Sequence, residues 1–98
     1  MAQKVVWSLQ AIHQLEKAYE YILKDSFQNA EKVRRDILQS THKLPDHPEI
    51  YSPDKYKKNN DGSFRAYELH SYRIAYKIIT ERIIIVRVRH TKREPKLY

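Results

Sequence analysis

The 98-residue chain has no cysteine, a single glycine and no long apolar run, and each shortage removes a class of protein. Without cysteine there is neither a disulfide framework nor a thiolate metal site, so a small core must stand unstapled, and a reducing cytoplasm is the expected compartment. With Gly62 alone, no glycine-rich phosphate loop can form, which argues against nucleoside triphosphate or dinucleotide binding. No apolar stretch approaches the roughly 20 residues that a membrane span requires. The start runs from Met1-Ala2-Gln3 straight into Lys4-Val5-Val6-Trp7 with no secretory apolar region, so neither membrane nor export is expected. Five histidines, His13, His42, His47, His70 and His90, lack metal-ligand spacing, and no acidic cluster suits a two-metal nuclease. No metal and no cofactor are therefore expected. The length fits one domain, residues 1–98, with one core.

What the chain does have is positive charge, unevenly placed. Residues 1–49 carry 7 Lys+Arg and 7 Asp+Glu, whereas residues 50–98 carry 12 and 5, so the whole formal excess of +7 lies in the second half. A polyanion is the first partner that such a field suggests. Tyrosine supplies 8 of the 11 aromatics, a bias that suits a nucleic-acid surface and equally the core of a small sheet protein.

Lys4 to Trp7 reads as a β-prone run, and Ser8 as the N-cap of a helix over residues 9–24. Trp7 and Ile12 hold the two positions of a hydrophobic staple. Ile12, Leu15, Tyr19 and Ile22 recur at spacings of 3, 4 and 3 and predict its apolar face. Asp25 or Ser26 caps a second helix with Ala30, Val33, Ile37 and Leu44 inward and Leu38 beside them, ending near Lys43 because Pro45 and Pro48 cannot continue it. Pro45 to Ser63 is loop by its turn chemistry, and its Lys55, Lys57 and Lys58 form either a clamp on a phosphate backbone or a solvated stretch. Strands follow. Tyr72, Ile74, Tyr76 and Ile78 share one face and Arg73, Ala75 and Lys77 the other; next, Ile84, Val86 and Val88 share a face opposite Arg87 and Arg89. The predicted order is βααβββ, an α+β domain in which a two-helix hairpin packs on a small, mainly antiparallel sheet and the outer face is a cationic platform.

The chemistry such residues support is metal-free attack of an RNA 2′-hydroxyl on its own phosphodiester, which needs a base, an acid and cations. Arg73, Glu68, His90, Arg93 and Tyr98 are the catalytic candidates. Arg65, Lys77, Arg87, Arg89, Lys55, Lys57 and Lys58 are the candidates for RNA binding. Arg73 has the alternative of a salt bridge to Glu68, His90 that of a histidine at the rim of the core, and Tyr98 that of a fraying end.

The run Ser71-Tyr72-Arg73-Ile74-Ala75-Tyr76, the Ile/Val strand, and Arg89-His90-Thr91-Lys92-Arg93-Glu94-Pro95-Lys96-Leu97-Tyr98 together resemble the RelE/ParE superfamily of toxins from bacterial type II toxin-antitoxin systems. The resemblance implies a small toxin neutralised by a cognate antitoxin whose acidic or amphipathic segment wraps it. It also implies one of two targets: mRNA cut in the ribosomal A site, or DNA gyrase bound without chemistry. For the ribonuclease branch, Arg73 matches the strand arginine, Arg93 the tail arginine and Tyr98, one residue out of register, the terminal tyrosine. Ala66 and Glu68 stand where that branch carries lysines. The tail form Arg-Val-x-His-x-x-Arg-Glu-Pro is as reminiscent of the gyrase branch. The expectation from sequence sets the ribonuclease slightly ahead.

Overall fold

A computed structural model describes residues 4–93 and 96–98. The Glu94-Pro95 step of the tail motif lies outside the described residues. The order is β1 (Lys4–Trp7), α1 (Leu9–Leu23), α2 (Phe27–His42), a 3₁₀ turn (Leu44–Asp46), β2 (Phe64–Leu69), β3 (Tyr72–Ile79) and β4 (Arg82–His90). The sheet runs β1-β4-β3-β2, with β1 parallel to β4 and the other neighbours antiparallel. The expected α+β architecture is the one found. Among the described residues no helix is long and apolar enough to cross a membrane.

Both helices begin as the sequence requires. Ser8 Oγ accepts from the Ala11 amide at 3.0 Å and Ser26 Oγ from the Asn29 amide at 3.1 Å, each satisfying an otherwise orphaned donor. The inward stripe of α1 is rotated from the expected one. Ala11, Leu15 and Ala18 are buried, Ile22 packs at the margin, and Ile12 is 38% exposed. Two alanines, weak as hydropathy signals, let α1 settle against β4. Tyr19 belongs instead to the α1–α2 seam: its hydroxyl donates to the Glu31 carboxylate, and the Arg34 guanidinium, 3.0 Å from the same carboxylate, stacks 4.1 Å from the Tyr19 ring. On α2, Ala30, Val33 and Ile37 face inward as expected.

β4 departs from simple alternation. Ala75 pairs with Arg87 but Tyr76 pairs with Ile85, so Val86 is an extra residue with no partner on β3. This bulge flips the parity of the strand halfway along. Ile83 and Ile85, both fully buried, face the helices before it, and Val88 and His90 do so after it. The expected set Ile84, Val86 and Val88 is therefore wrong for its first two members, because alternation was carried through the bulge. Arg87 and Arg89 do share the outer face with Arg73, through the pairs Ala75↔Arg87 and Arg73↔Arg89. The core side of β3 and β2 holds Tyr72, Ile74, Tyr76 and Tyr67. Burial pushes the Tyr67 and Tyr76 hydroxyls up to about 12; Tyr67 shares a hydrogen bond with Ser40 (2.7 Å) and Tyr76 donates to the Pro48 carbonyl (2.6 Å).

The β2–β3 hairpin turns through His70 (φ 51°) and Ser71 (φ 67°), both in the left-handed region. Two residues with positive φ are what a type I′ turn demands, and neither is glycine or asparagine. His70 has a compensating contact, its Nε2 lying 2.7 Å from Asp36 Oδ2 on α2; this hydrogen bond is the leading cause that holds the Asp36 carboxyl below its ordinary value. Ser71 has no side-chain partner among the described residues. Ser71→Gly is therefore expected to stabilise the fold by about 1 kcal/mol in urea unfolding, with unchanged secondary structure. A loss of stability would contradict the assignment of strain to this position.

Candidate functional site

The long loop is held to β2 rather than left free. Asp54 N–H donates to the Phe64 carbonyl at 2.9 Å and Ala66 N–H to the Ser52 carbonyl at 3.2 Å, so residues 52–54 run beside the edge strand. Further on, Asn60 closes the turn: its Oδ1 accepts from the Gly62 and Phe64 amides (2.9 and 3.1 Å) and its Nδ2 donates to the Phe64 carbonyl (2.7 Å). Pinning the loop in this way sets one carboxylate over the outer face of the sheet.

That carboxylate is Asp54, 3% exposed. Its Oδ1 accepts from Arg73 Nη2 at 3.0 Å and from the Tyr56 amide at 3.1 Å; its Oδ2 accepts from the Tyr98 hydroxyl at 2.6 Å. Burial on its own raises the Asp54 carboxyl, but the bonds from Tyr98, Tyr56 and Arg73 outweigh it and hold the group below the ordinary carboxylate value. Burial first, and then the bond to Asp54, raises the Tyr98 phenol well above its usual value. The last residues of the chain thereby lie over the sheet. Tyr98 N–H donates to the Tyr56 carbonyl (3.0 Å), the main-chain oxygen of Tyr98 accepts from the Lys58 amide (2.7 Å) and from Lys57 Nζ (3.2 Å), and Arg87 Nη1 donates to the Lys96 carbonyl (2.6 Å). The Arg87 guanidinium also stacks 4.5 Å from the Tyr98 ring. Burial, and then the neighbouring Arg89, lower the Arg87 pKa.

The expected residues converge in part. Asp54, Glu68, Arg73, Arg87, Arg89, His90 and Arg93 line one cavity of about 50 Å³ at the C-terminal end of β4. Glu68 sits beside Arg73 at 3.4 Å, so the salt bridge weighed against a phosphate ligand does form. His90 lies on the helix side, edge-on to Tyr72 with ring centres 5.0 Å apart, and its Nδ1 accepts from the Lys92 amide at 3.0 Å. Tyr98 is docked, not frayed. Arg65 is not on the outer platform: it pairs with Tyr76 across the sheet and donates to the Tyr51 carbonyl at 2.7 Å, because its parity places it on the helix side under the loop. Lys77 is on the outer face, 5.2 Å from the Phe64 ring, and Lys57 shares that ring at 4.8 Å; Lys55 lies 5.3 Å from the Tyr56 ring, while Lys58 is exposed. Asp54 was absent from the sequence-based candidates. Its signal was an aspartate following proline, in a segment otherwise rich in lysine. Among the described residues no group of three His, Asp or Glu converges as a metal site.

The fold, with the family model that the chain matches, makes it a small toxin of the RelE/ParE superfamily. Residues 5–95 match the family model described as the ParE toxin of the type II toxin-antitoxin system parDE, and the chain belongs to that family. Among solved structures, it is similar to the chromosomal ParDE system from P. aeruginosa, with TM-score 0.73 and 16% identity over 93% of this chain and 98% of the other. The RelBE2 toxin-antitoxin complex from Mycobacterium tuberculosis follows at TM-score 0.63 and 17% identity, covering 92% and 99%. The YoeB dimer from Staphylococcus aureus is similar at 0.58 and 16%, covering 92% and 98%. No curated protein matches.

Asp54 joins three segments by charge and hydrogen bonds, so its removal is expected to act on the whole fold. Asp54→Asn should cost about 2–4 kcal/mol in urea unfolding at neutral pH, since it leaves Arg73 without its buried counter-charge. Tyr98→Phe should cost about 1 kcal/mol. Because the Asp54 pKa is lowered by folding, its contribution is complete above the ordinary aspartate range and is lost as pH falls through the native value. The deficit of Asp54→Asn should therefore shrink below about pH 4. An equal deficit at neutral and strongly acid pH would contradict the ionised pairing.

Proposed function

We propose that this chain is the toxin of a toxin-antitoxin pair in the cytoplasm, held silent by a cognate antitoxin, and that it arrests growth by binding DNA gyrase without chemistry. The observation that carries this reading is the closure of Arg73 and Tyr98 on Asp54. Cleavage through a 2′-hydroxyl needs a proton acceptor, a proton donor and uncompensated cations at the phosphate. Here the phenol already donates to an ionised carboxylate, which also raises its pKa, so it is a poor base. The strand arginine is neutralised from two sides, by Asp54 and by Glu68. A phosphate entering the small cavity would meet the buried Asp54 charge, and like charges close together in a protein interior repel strongly. His90 is turned to the core side and engaged at Nδ1.

Family membership and the tail form, of which Arg89, His90 and Arg93 are described, support the gyrase target. The +7 charge supports an acidic antitoxin segment as the silencing partner. The ribonuclease reading keeps one observation in its favour, the gathering of Glu68, Arg73, His90 and Arg93 around a single cavity.

The two readings separate in a paired assay. Purified chain added to gyrase is expected to inhibit ATP-dependent supercoiling in proportion to the toxin present, and the same preparation added to translating ribosomes is expected to leave the transcript whole. Transcript cleavage with unimpaired supercoiling would replace this proposal with the ribonuclease.

A further inference from the structure

Four cations of the second half are already engaged within the fold. Arg73 is paired with Asp54 and Glu68, Arg87 holds the chain end, Arg65 the loop and Lys57 the Tyr98 main chain. Arg89, Lys92 and Arg93, by contrast, make no ion pair among the described residues, and they stand together where β4 ends. They form one wall of a cleft of about 450 Å³ between that strand end and α1. The cleft exists because β1 stops at Trp7, opposite Ile85, and leaves the second half of β4 without a neighbouring strand. Gln14 of α1 fills part of the gap, its Oε1 accepting from the Val88 amide at 2.7 Å.

The other wall is the α1 face carrying His13, Lys17 and Tyr21. Tyr21 is 63% exposed, and Lys17 has only a loose contact of 3.8 Å with the solvent-exposed Glu20. Among the described residues no carboxylate lines the cleft. An exposed aromatic ring flanked by cations in a groove is the arrangement that holds single-stranded nucleic acid, with a base on the ring and phosphates on the lysines and arginines. The size matches one nucleotide unit, within the range of ordinary ligand clefts. No glycine-rich loop is needed, since side chains supply every contact.

We propose that the α1–β4 cleft binds single-stranded nucleic acid, one base stacking on Tyr21 while Lys17, Lys92 and Arg93 hold the adjoining phosphates. The cleft adjoins the Asp54 cavity and shares Arg89, His90 and Arg93 with it, but Lys17, Tyr21 and Lys92 line the cleft alone, and binding there does not depend on which target the toxin poisons. An acidic peptide would use the same cations but has no use for an exposed ring, and this difference decides the test.

Fluorescence anisotropy of a labelled oligothymidine octamer with the purified chain at low salt is the measurement. Tyr21→Ala is expected to weaken binding about tenfold or more. Lys92→Ala combined with Arg93→Ala is expected to weaken it at least as much and to flatten its salt dependence. Lys43→Ala, which removes one charge at the far end of α2, should change little, and oligoglutamate at equal charge should fail to displace the octamer. Binding that survives Tyr21→Ala, falls equally with Lys43→Ala or is displaced by oligoglutamate would overturn the proposal in favour of general electrostatic attraction or an acidic peptide.

Discussion

Asp54 is where the loop, the sheet and the chain end meet, and the outer face of the protein takes its form from that meeting. A carboxylate this deeply buried is tolerated only when charged and neutral donors surround it, and here one guanidinium, one main-chain amide and one phenol do so. The stretch 47–63 between the 3₁₀ turn and β2 is ordered as a consequence, and so is the Lys96–Tyr98 segment. Without the carboxylate, Arg73, Arg87 and Lys57 would face solvent as an open basic patch; with it, they are cross-braces.

A second constraint, the extra residue Val86, sets which side chains meet that carboxylate. By shifting parity after Ile85 it allows β4 to bury Ile83 and Ile85 near its start and Val88 near its end, while Arg87 and Arg89 stay outside. Continuous alternation would have forced a choice between a filled core and a basic outer face. The bulge also lies where β1 gives way to α1, so the strand bends just as its neighbour ends and the α1–β4 cleft opens beside it.

Much of this was legible in the chain. Ser8 and Ser26 announce the helices, Pro45 ends the second, and the alternation of Tyr72 to Ile78 orients β3 correctly. The order βααβββ followed from those signals. What stayed hidden has a common cause, namely contacts made across long sequence distances. The bulge is invisible because Ile, Ile, Ile and Val give no alternation to break. Asp54 pairs with residues 19 and 44 positions away, and a lone aspartate among lysines looks like any solvated loop acid. Arg65 reads as a surface cation until the loop above it is placed. The same long-range pairing explains why the arginine-rich second half first suggests a general polyanion platform, when Lys57, Arg65, Arg73 and Arg87 are already committed inside the fold.

The account depends on Asp54 being ionised and hydrogen-bonded in the native protein, which carbon-detected NMR titration of the aspartate side-chain carboxyls tests directly. The predicted result is an Asp54 midpoint below the ordinary aspartate value of about 3.9, moving upward when Tyr98 is replaced by Phe. A midpoint at or above the ordinary value, unaffected by that substitution, would contradict the network on which the outer face is built.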